Sequence, residues 1–121
     1  MSATHPHVVR MLDVIEKSYS ERITLRTLSR TLNRQSAYLG QVFRREVGMT
    51  VRQWVTRVRL EHAARLITDG IKIEAVALIV GYRSKKNFYR QFRRQFASTP
   101  LEYRHHYRLD SRDFAESRPP L

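Results

Sequence analysis

The sequence predicts an all-α fold, and three features of the sequence indicate this class. Apolar residues recur at spacings of three and four through nearly the whole chain, which is the periodicity of amphipathic helices. The 121 residues include only four glycines and four prolines, and few runs alternate as β-strands do. A block of sequence also recurs about 49 residues later, which marks a duplicated unit. We therefore predict seven helices in two similar halves.

The first three helices are predicted from apolar stripes and from residues suited to helix ends. Thr24 can cap the second helix, and Asn33 tolerates the left-handed turn after it. We expect Ser36 to cap the third helix and Gly48 to end it. The predicted helices cover about 7–19, 24–32 and 36–47.

Two capping boxes and one serine predict where the later helices begin. Thr50 with Gln53 opens a long fourth helix, and Thr99 with Glu102 opens a short last one. Ser84 caps the sixth helix. The predicted helices cover about 50–68, 73–80, 84–96 and 100–107.

The composition excludes several classes of protein. The chain has no cysteine, which excludes disulfides and thiolate metal sites. Its longest apolar run, Ala75 to Val80, is far shorter than a membrane span, and residues 1–10 do not resemble a signal peptide. We therefore expect a cytoplasmic protein.

The formal net charge of +12 favours a polyanionic partner because the cations are clustered. No Asp or Glu occurs between Glu21 and Glu46, or between Glu74 and Glu102. Arginine dominates these windows and suits bidentate contact with phosphate or guanine. The two windows predict two similar basic surfaces. Their cations are Arg22, Arg26, Arg30, Arg34, Arg44 and Arg45 in the first, and Arg83, Lys85, Lys86, Arg90, Arg93 and Arg94 in the second.

The internal repeat aligns residues 43–50 with residues 92–99 and continues into the two capping boxes. Upstream the offset falls from 49 to 48, so the second turn holds one extra residue. Each copy consists of a short helix, a tight turn and a longer basic helix, which is the order of a helix-turn-helix. The sequence therefore predicts two such units, over about 24–45 and 73–95.

The longer helix of each unit carries an outward stripe that can read base edges in the major groove. Glutamine suits adenine, whereas arginine and lysine suit guanine. Arg45 and Arg94 lie at the flanks and are expected to hold phosphate. The stripes are Ala37, Gly40, Gln41 and Arg44 in the third helix, and Lys86, Tyr89, Arg90 and Arg93 in the sixth.

The stripe of the third helix is the weaker of the two. Ala37 and Gly40 offer no hydrogen-bonding side chain, and glycine inside a helix costs roughly 1 kcal/mol against alanine. Either the backbone at Gly40 approaches DNA closely, or the first unit mainly clamps DNA while the second unit reads more bases.

The long fourth helix is predicted to act as a spacer. From Thr50 to Thr68 it would be about 28 Å long at a rise of 1.5 Å per residue. That length approaches the roughly 34 Å of one DNA turn. Two recognition helices of one chain would then enter successive major grooves, without the need for a dimer.

These residues resemble the AraC/XylS family of bacterial transcription regulators, over about residues 8–107. The spacer resembles the family's Arg-Leu-x-x-Ala pattern at Arg59, Leu60 and Ala63. The chain departs from the family at two places. Ala97 stands where the family often has glycine, and Ala37 and Gly40 replace larger polar residues in the third helix. The family signature is matched at Ile79, Gly81, Tyr82, Ser84, Phe88, Arg90, Phe92, Arg93, Arg94, Phe96, Thr99, Pro100, Tyr103 and Arg104.

The resemblance implies an all-α domain in which a long linker helix joins two helix-turn-helix subdomains, built as homeodomain-like three-helix units. It implies sequence-specific binding of double-stranded promoter DNA and, usually, activation of RNA polymerase. Carried over by position, the base contacts fall on Ala37, Gln41, Lys86, Tyr89 and Arg90. Contacts with the DNA backbone are expected from Ser36, Arg44, Arg45, Ser84, Lys85, Arg93 and Arg94.

The resemblance also predicts how the chain is organised and controlled. Residues 1–49 would form the first subdomain with its preceding helix, 50–69 the linker helix, 70–108 the second subdomain, and 109–121 a polar, disordered tail. The chain resembles small standalone members that bind as monomers and are controlled by abundance. We therefore expect a nucleoid-associated monomer with no cofactor, metal or small-molecule ligand.

Two other classes of function compete with this interpretation. An enzyme finds little support, because His62 is alone on the fourth helix and His5 and His7 lie in a loose N-terminus. His105 and His106 have no acidic or cysteine ligand at metal spacing. A non-specific architectural DNA-binding protein would use arginine on phosphate and in the minor groove. The ratio of specific to non-specific affinity at fixed salt separates this alternative from a regulator.

Overall fold

The computed structural model describes residues 5–107, and within them it contains helices and no strand. The all-α class and the seven helices are therefore confirmed. The predicted tail over 109–121 lies outside the described residues. The helices are α1 Pro6–Ser18, α2 Leu25–Leu32, α3 Ser36–Val47, α4 Val51–Thr68, α5 Ile73–Ile79, α6 Lys85–Phe96 and α7 over 100–107.

The chain forms two compact units, and the boundary between them falls after Arg59, inside α4. The first turns of α4 contribute Val51, Val55 and Val58 to the core of the first unit. The rest of α4, from Leu60 onward, belongs to the second unit. The helix predicted as a linker is thus shared between the two units.

The core of the first unit is mainly aliphatic. Val8, Met11 and Ile15 of α1 are fully buried, as is Phe43 of α3. They pack with leucines from α2 and α3 and with the valines of α4, so that each helix buries one apolar stripe. This packing presents the opposite face of α3 to solvent.

The core of the second unit combines aliphatic residues of α4 and α5 with a cluster of aromatic rings. Phe88 and Phe92 of α6 are fully buried. The ring centroid of Phe92 lies 4.6 Å from that of Phe96 and 5.5 Å from that of Tyr103 in α7. Aromatic pairs at these separations contribute about 0.5–1.5 kcal/mol each beyond their buried area. Tyr82 extends the cluster, with its ring centroid 5.3 Å from that of Phe88.

The two capping boxes predicted for α4 and α7 are present. The Thr50 amide donates to Gln53 Oε1 at 2.9 Å, and the Gln53 amide donates to Thr50 Oγ1 at 3.1 Å. The corresponding distances for Thr99 and Glu102 are 2.8 and 3.1 Å. These bonds satisfy amides that a helix start leaves unpaired. The hydrogen bond from the Thr99 amide, followed by that from the Thr99 hydroxyl, lowers the pKa of Glu102.

The start of α3 differs from the sequence prediction. Ser36 is the first helical residue, and Gln35 occupies the capping position without a side-chain hydrogen bond. The prediction of a Ser36 cap was therefore wrong. The extended backbone of Gln35 starts the helix one residue earlier, and the Ser36 hydroxyl instead donates to the Leu25 carbonyl at 3.5 Å.

Left-handed residues end several helices, as the sequence predicts for Asn33 and Gly48. Their φ angles are 56° and 82°. Ala97 ends α6 with a φ of 57°, a conformation that costs an L-residue with a Cβ roughly 1–2 kcal/mol. The matched helix ends of α3 and α6 thus carry a glycine in one unit and a strained alanine in the other.

Candidate nucleic-acid interface

The outward faces of α3 and α6 carry most of the residues predicted to contact DNA. On α3, Ala37, Gln41 and Arg44 are exposed and follow each other at helical spacing on one face. On α6, the corresponding exposed residues are Lys86, Arg90 and Arg93. Arg45 and Arg94 are also exposed, as are Lys85 and Ser84. Each helix therefore brings its own predicted residues together on one solvent-facing surface.

Gly40 does not belong to the open stripe of α3. It is half-buried, and a Cβ added at this position would lie 3.0 Å from Leu25 Cδ1 of α2. Real Cβ atoms rarely approach another carbon this closely. The packing of α2 on α3 therefore gives the glycine a structural reason that does not involve DNA, since an alanine would require the tip of Leu25 to move by a few tenths of an ångström.

Two of the side chains of α6 that are predicted to contact bases make contacts with other side chains of the same helix. Arg90 Nη2 donates to Asn87 Oδ1 at 3.0 Å, which limits the positions of the guanidinium. Tyr89 is half-buried with its ring against Phe88. The equivalent of Tyr89 in α3 is Gly40, so the second unit has an aromatic side chain where the first has none.

Lys85 is engaged within the protein rather than pointing freely to solvent. Its Nζ lies 3.2 Å from Glu74 Oε1 of α5 and 5.5 Å from the Tyr89 ring centroid. A hydrogen bond from its own backbone amide, followed by that from Lys85, lowers the pKa of Glu74. Both side chains of the ion pair are exposed, so a phosphate can compete for Lys85 at little cost.

The two serines predicted to contact the DNA backbone occupy different positions. Ser84 is the N-cap of α6 and accepts the Asn87 amide at 3.1 Å. Ser36 lies in the first turn of α3 and is half-buried. Sequence reasoning missed Asn87, although an amide side chain three residues before Arg90 lies on the same helix face.

Two arginines fix the helix that precedes each helix-turn-helix. Arg59 donates to the carbonyls of Tyr19 at 2.6 Å and Glu21 at 2.7 Å. Arg104 donates to the carbonyl of Ile67 at 3.0 Å and also to the carbonyl of Ile71. Helix ends leave carbonyls unpaired, and a guanidinium can bind two of them at once.

The histidines at the start of the chain are ordered, so the prediction of a loose N-terminus was wrong for His5 and His7. His5 caps α1, and Pro6 is the first helical residue, a position at which the ring of proline is pre-organised for the helix. Tyr38 of α3 lies between the two imidazoles, 3.0 Å from His7 Nδ1 and 3.4 Å from His5 Nε2.

Two features of other protein classes are absent from the described residues. None of their helices is long and apolar enough to cross a membrane. In this part of the chain, no group of three His, Asp or Glu residues lies close enough to hold a metal ion.

Comparisons with known proteins connect this geometry to a family. A sequence profile of the helix-turn-helix domain family matches residues 23–106. The melibiose operon regulatory protein of Escherichia coli strain K12 is 29% identical over 99 residues, which are 81% of this chain and 33% of that protein. The chain thus spans about a third of the length of the curated relatives it matches.

Two solved structures have the same fold. One is the C-terminal domain of AraT, a response regulator from Geobacillus stearothermophilus, with a TM-score of 0.83 at 29% identity, covering 87% of this chain and 88% of that one. The other is the DNA-binding domain of AdpA, a global transcriptional factor in complex with a target DNA, with a TM-score of 0.78 at 27% identity, covering 88% and 96%. The resemblance seen in the sequence is therefore confirmed, and this chain belongs to the helix-turn-helix domain family, in its AraC type.

Proposed function

We propose that the chain is a sequence-specific regulator that binds double-stranded promoter DNA through α3 and α6. The observation that carries this proposal is the pair of exposed polar stripes, each on the second helix of a helix-turn-helix with its own core. Such a helix enters the major groove and contacts base edges with its outward residues. The arginines and lysines that are clustered on and around both helices favour the phosphate backbone on either side.

The two units are proposed to contribute unequally to base reading. In α6, Lys86, Tyr89 and Arg90 offer side chains with hydrogen-bonding or stacking groups, and Asn87 supports Arg90. In α3, Gln41 is the main candidate for base contact, since Ala37 has only a methyl group. The second unit therefore supplies most of the sequence preference, while Arg44 and Arg45 of the first unit hold phosphate.

The finer features of the proposal come from the family. The chain acts as a monomer on chromosomal DNA in the bacterial cytoplasm, with α4 spacing the two units for successive major grooves. It activates transcription by contacting RNA polymerase. A relative in Staphylococcus xylosus is described as a lactose operon transcription activator, which favours activation over repression.

The experiment is selection of bound duplexes from a random pool of about 30 bp at near-physiological salt, followed by sequencing. We expect a bipartite consensus whose two parts lie about one DNA turn apart, with more information in the part read by α6. The Arg90→Ala chain is the matched control, and its selected pool should lose information in one part only.

The other outcomes separate the alternatives. A single informative half would mean that the first unit is a clamp. No enrichment over the starting pool, with strong salt-dependent binding retained, would replace the regulator by an architectural DNA-binding protein. Sedimentation of the chain bound to a duplex that carries the selected site would test whether it binds as a monomer, since a dimer would double the bound protein mass.

A further inference from the structure

A closed ring of hydrogen bonds links the start of α1 to α3, and its donors can be assigned. The His7 backbone amide donates to His5 Nδ1 at 3.2 Å, so the proton of neutral His5 is on Nε2. That nitrogen, 3.4 Å away, donates to the Tyr38 hydroxyl. The hydroxyl in turn donates its single hydrogen to His7 Nδ1 at 3.0 Å. The hydrogens of His5 Nε2 and of the Tyr38 hydroxyl are thus both used inside the ring.

His7 is the member of the ring that can accept a proton without breaking it. A proton on His5 Nδ1 would remove the acceptor of the His7 amide, and with it the cap of α1. A proton on His7 Nδ1 only reverses the bond to Tyr38, which then accepts from both imidazoles. The Tyr38 hydrogen is released by this reversal and can donate to a new acceptor.

The surroundings of His7 are cationic. Desolvation, followed by the charges of Arg34, His5 and Arg10, lowers the pKa of His7. Arg34 lies in the turn before α3, Arg10 lies on α1, and the hydroxyl of Tyr38 faces His7 from α3. An anion placed among these groups would be attracted by Arg34 and would favour the protonated imidazole.

The position of this cluster in the fold indicates which anion it meets. Tyr38 is in the first turn of α3, and Arg34 lies two residues before that helix begins. The first turn of a recognition helix is the part closest to DNA, and the residues that flank it contact phosphate oxygens. The side chains of the cluster are half-buried or exposed, so a phosphate oxygen can reach them.

We propose that Arg34, protonated His7 and the released Tyr38 hydroxyl bind a backbone phosphate of DNA beside the first recognition helix. The proposal rests on the proposed function, because it requires α3 to lie against a duplex. It supplies the first unit with a contact that its weak base-reading stripe lacks. Since the bound phosphate favours the protonated form of His7, DNA binding takes up a proton and becomes tighter as the pH falls.

The first test is the dissociation constant of a fluorescent duplex at pH values from about 8.0 to 5.5, at fixed ionic strength with a chelator present. The duplexes are the selected site and a random sequence of equal length. The native chain should bind more tightly at the low pH, by at most about three- to tenfold, which is the limit set by a rise of about half to one unit in one histidine pKa. His7→Gln should remove most of this change.

The matched control is His105→Gln, which removes another exposed histidine, on α7, and should keep the pH dependence of the native chain. Tyr38→Phe should weaken binding at low pH more than at high pH, because it removes the released donor. Equal pH dependence in the native and His7→Gln chains would overturn the proposal.

The second test is the NMR titration of the His7 ring in the full chain, with and without DNA. The pKa of His7 should lie below 6.5 in the free chain and should rise on binding. An unchanged pKa with DNA bound would reject the phosphate site while leaving the proposed function intact. A missing consensus in the selection experiment would instead reject the function, and the random duplex would still report on His7.

Discussion

The two helix-turn-helix units have the same order of helices but differ at matched positions. The first unit is built on an aliphatic core and has Gly40 on its second helix, where the second unit has Tyr89. The second unit adds a cluster of aromatic rings to its core and ends its second helix with Ala97, where the first has Gly48. A duplicated fold can therefore keep its framework while a matched position carries a closely packed glycine in one copy and an aromatic side chain in the other.

The largest difference should appear in the cores. Phe92→Ala should destabilise the second unit by about 3–5 kcal/mol, because it leaves a cavity and removes ring contacts with Phe96 and Tyr103. Hydrogen exchange of amides in α6 measures this directly, and amides in α3 serve as the internal control. Equal loss of protection in both helices would mean that the two units unfold together.

A smaller difference is expected in base reading. Arg90→Ala should cost about 1–3 kcal/mol of specific binding and relax the preference at one base pair. Gln41→Ala should cost less, since the first unit has fewer reading groups. Competition binding with single-base variants of the selected site compares the two. A larger effect of Gln41→Ala would mean that the first unit, and not the second, contributes more to base preference.

Exchanging alanine and glycine at the two matched helix ends should change the free energy of unfolding in opposite directions. Ala97→Gly should stabilise the second unit by about 1 kcal/mol, because glycine adopts the left-handed conformation without the Cβ clash. Gly48→Ala should destabilise the first unit by a similar amount, although nothing lies within 4 Å of the added Cβ. Urea unfolding followed separately in α3 and α6 gives both values. A destabilising Ala97→Gly would show that the alanine makes a favourable contact there.

The smallest effect concerns Gly40 and Leu25. Gly40→Ala gains helix propensity but brings its Cβ within 3.0 Å of Leu25 Cδ1. Leu25→Val removes that carbon, so Gly40→Ala should be more favourable in the Leu25→Val chain than in the native one, by at least about 0.5 kcal/mol. A double-mutant cycle measures this coupling, and additive effects would mean that the leucine tip moves aside freely.

Local patterns allowed most of the fold to be predicted. The capping boxes at Thr50 and Thr99 and the glycine end at Gly48 depend on residues at most four positions apart. The family motifs added the two-unit architecture. These features can be read from sequence because their physical cause lies within one or two turns of helix.

The errors concern partners that are distant in sequence. Gly40 was assigned to the open stripe, yet its neighbour is Leu25 on another helix. His5 and His7 were placed in a loose segment, yet they contact Tyr38, which is 33 and 31 residues away. No periodicity encodes such pairs. The individual DNA contacts stay predictions, because they depend on a partner and not on the chain alone.

The arginines Arg59 and Arg104 have a consequence for evolution and for protein engineering. Both bind main-chain carbonyls, so the identity of the side chains around Tyr19, Glu21 and Ile71 does not determine these attachments. Mutations at the exposed positions Glu21 and Ile71 can therefore accumulate as long as the backbone keeps its path, whereas Tyr19 also packs against the core. A library randomised at Glu21 and Ile71 would retain the arginine contacts, and a label is better introduced there by substitution than by insertion, which would displace the bound carbonyls.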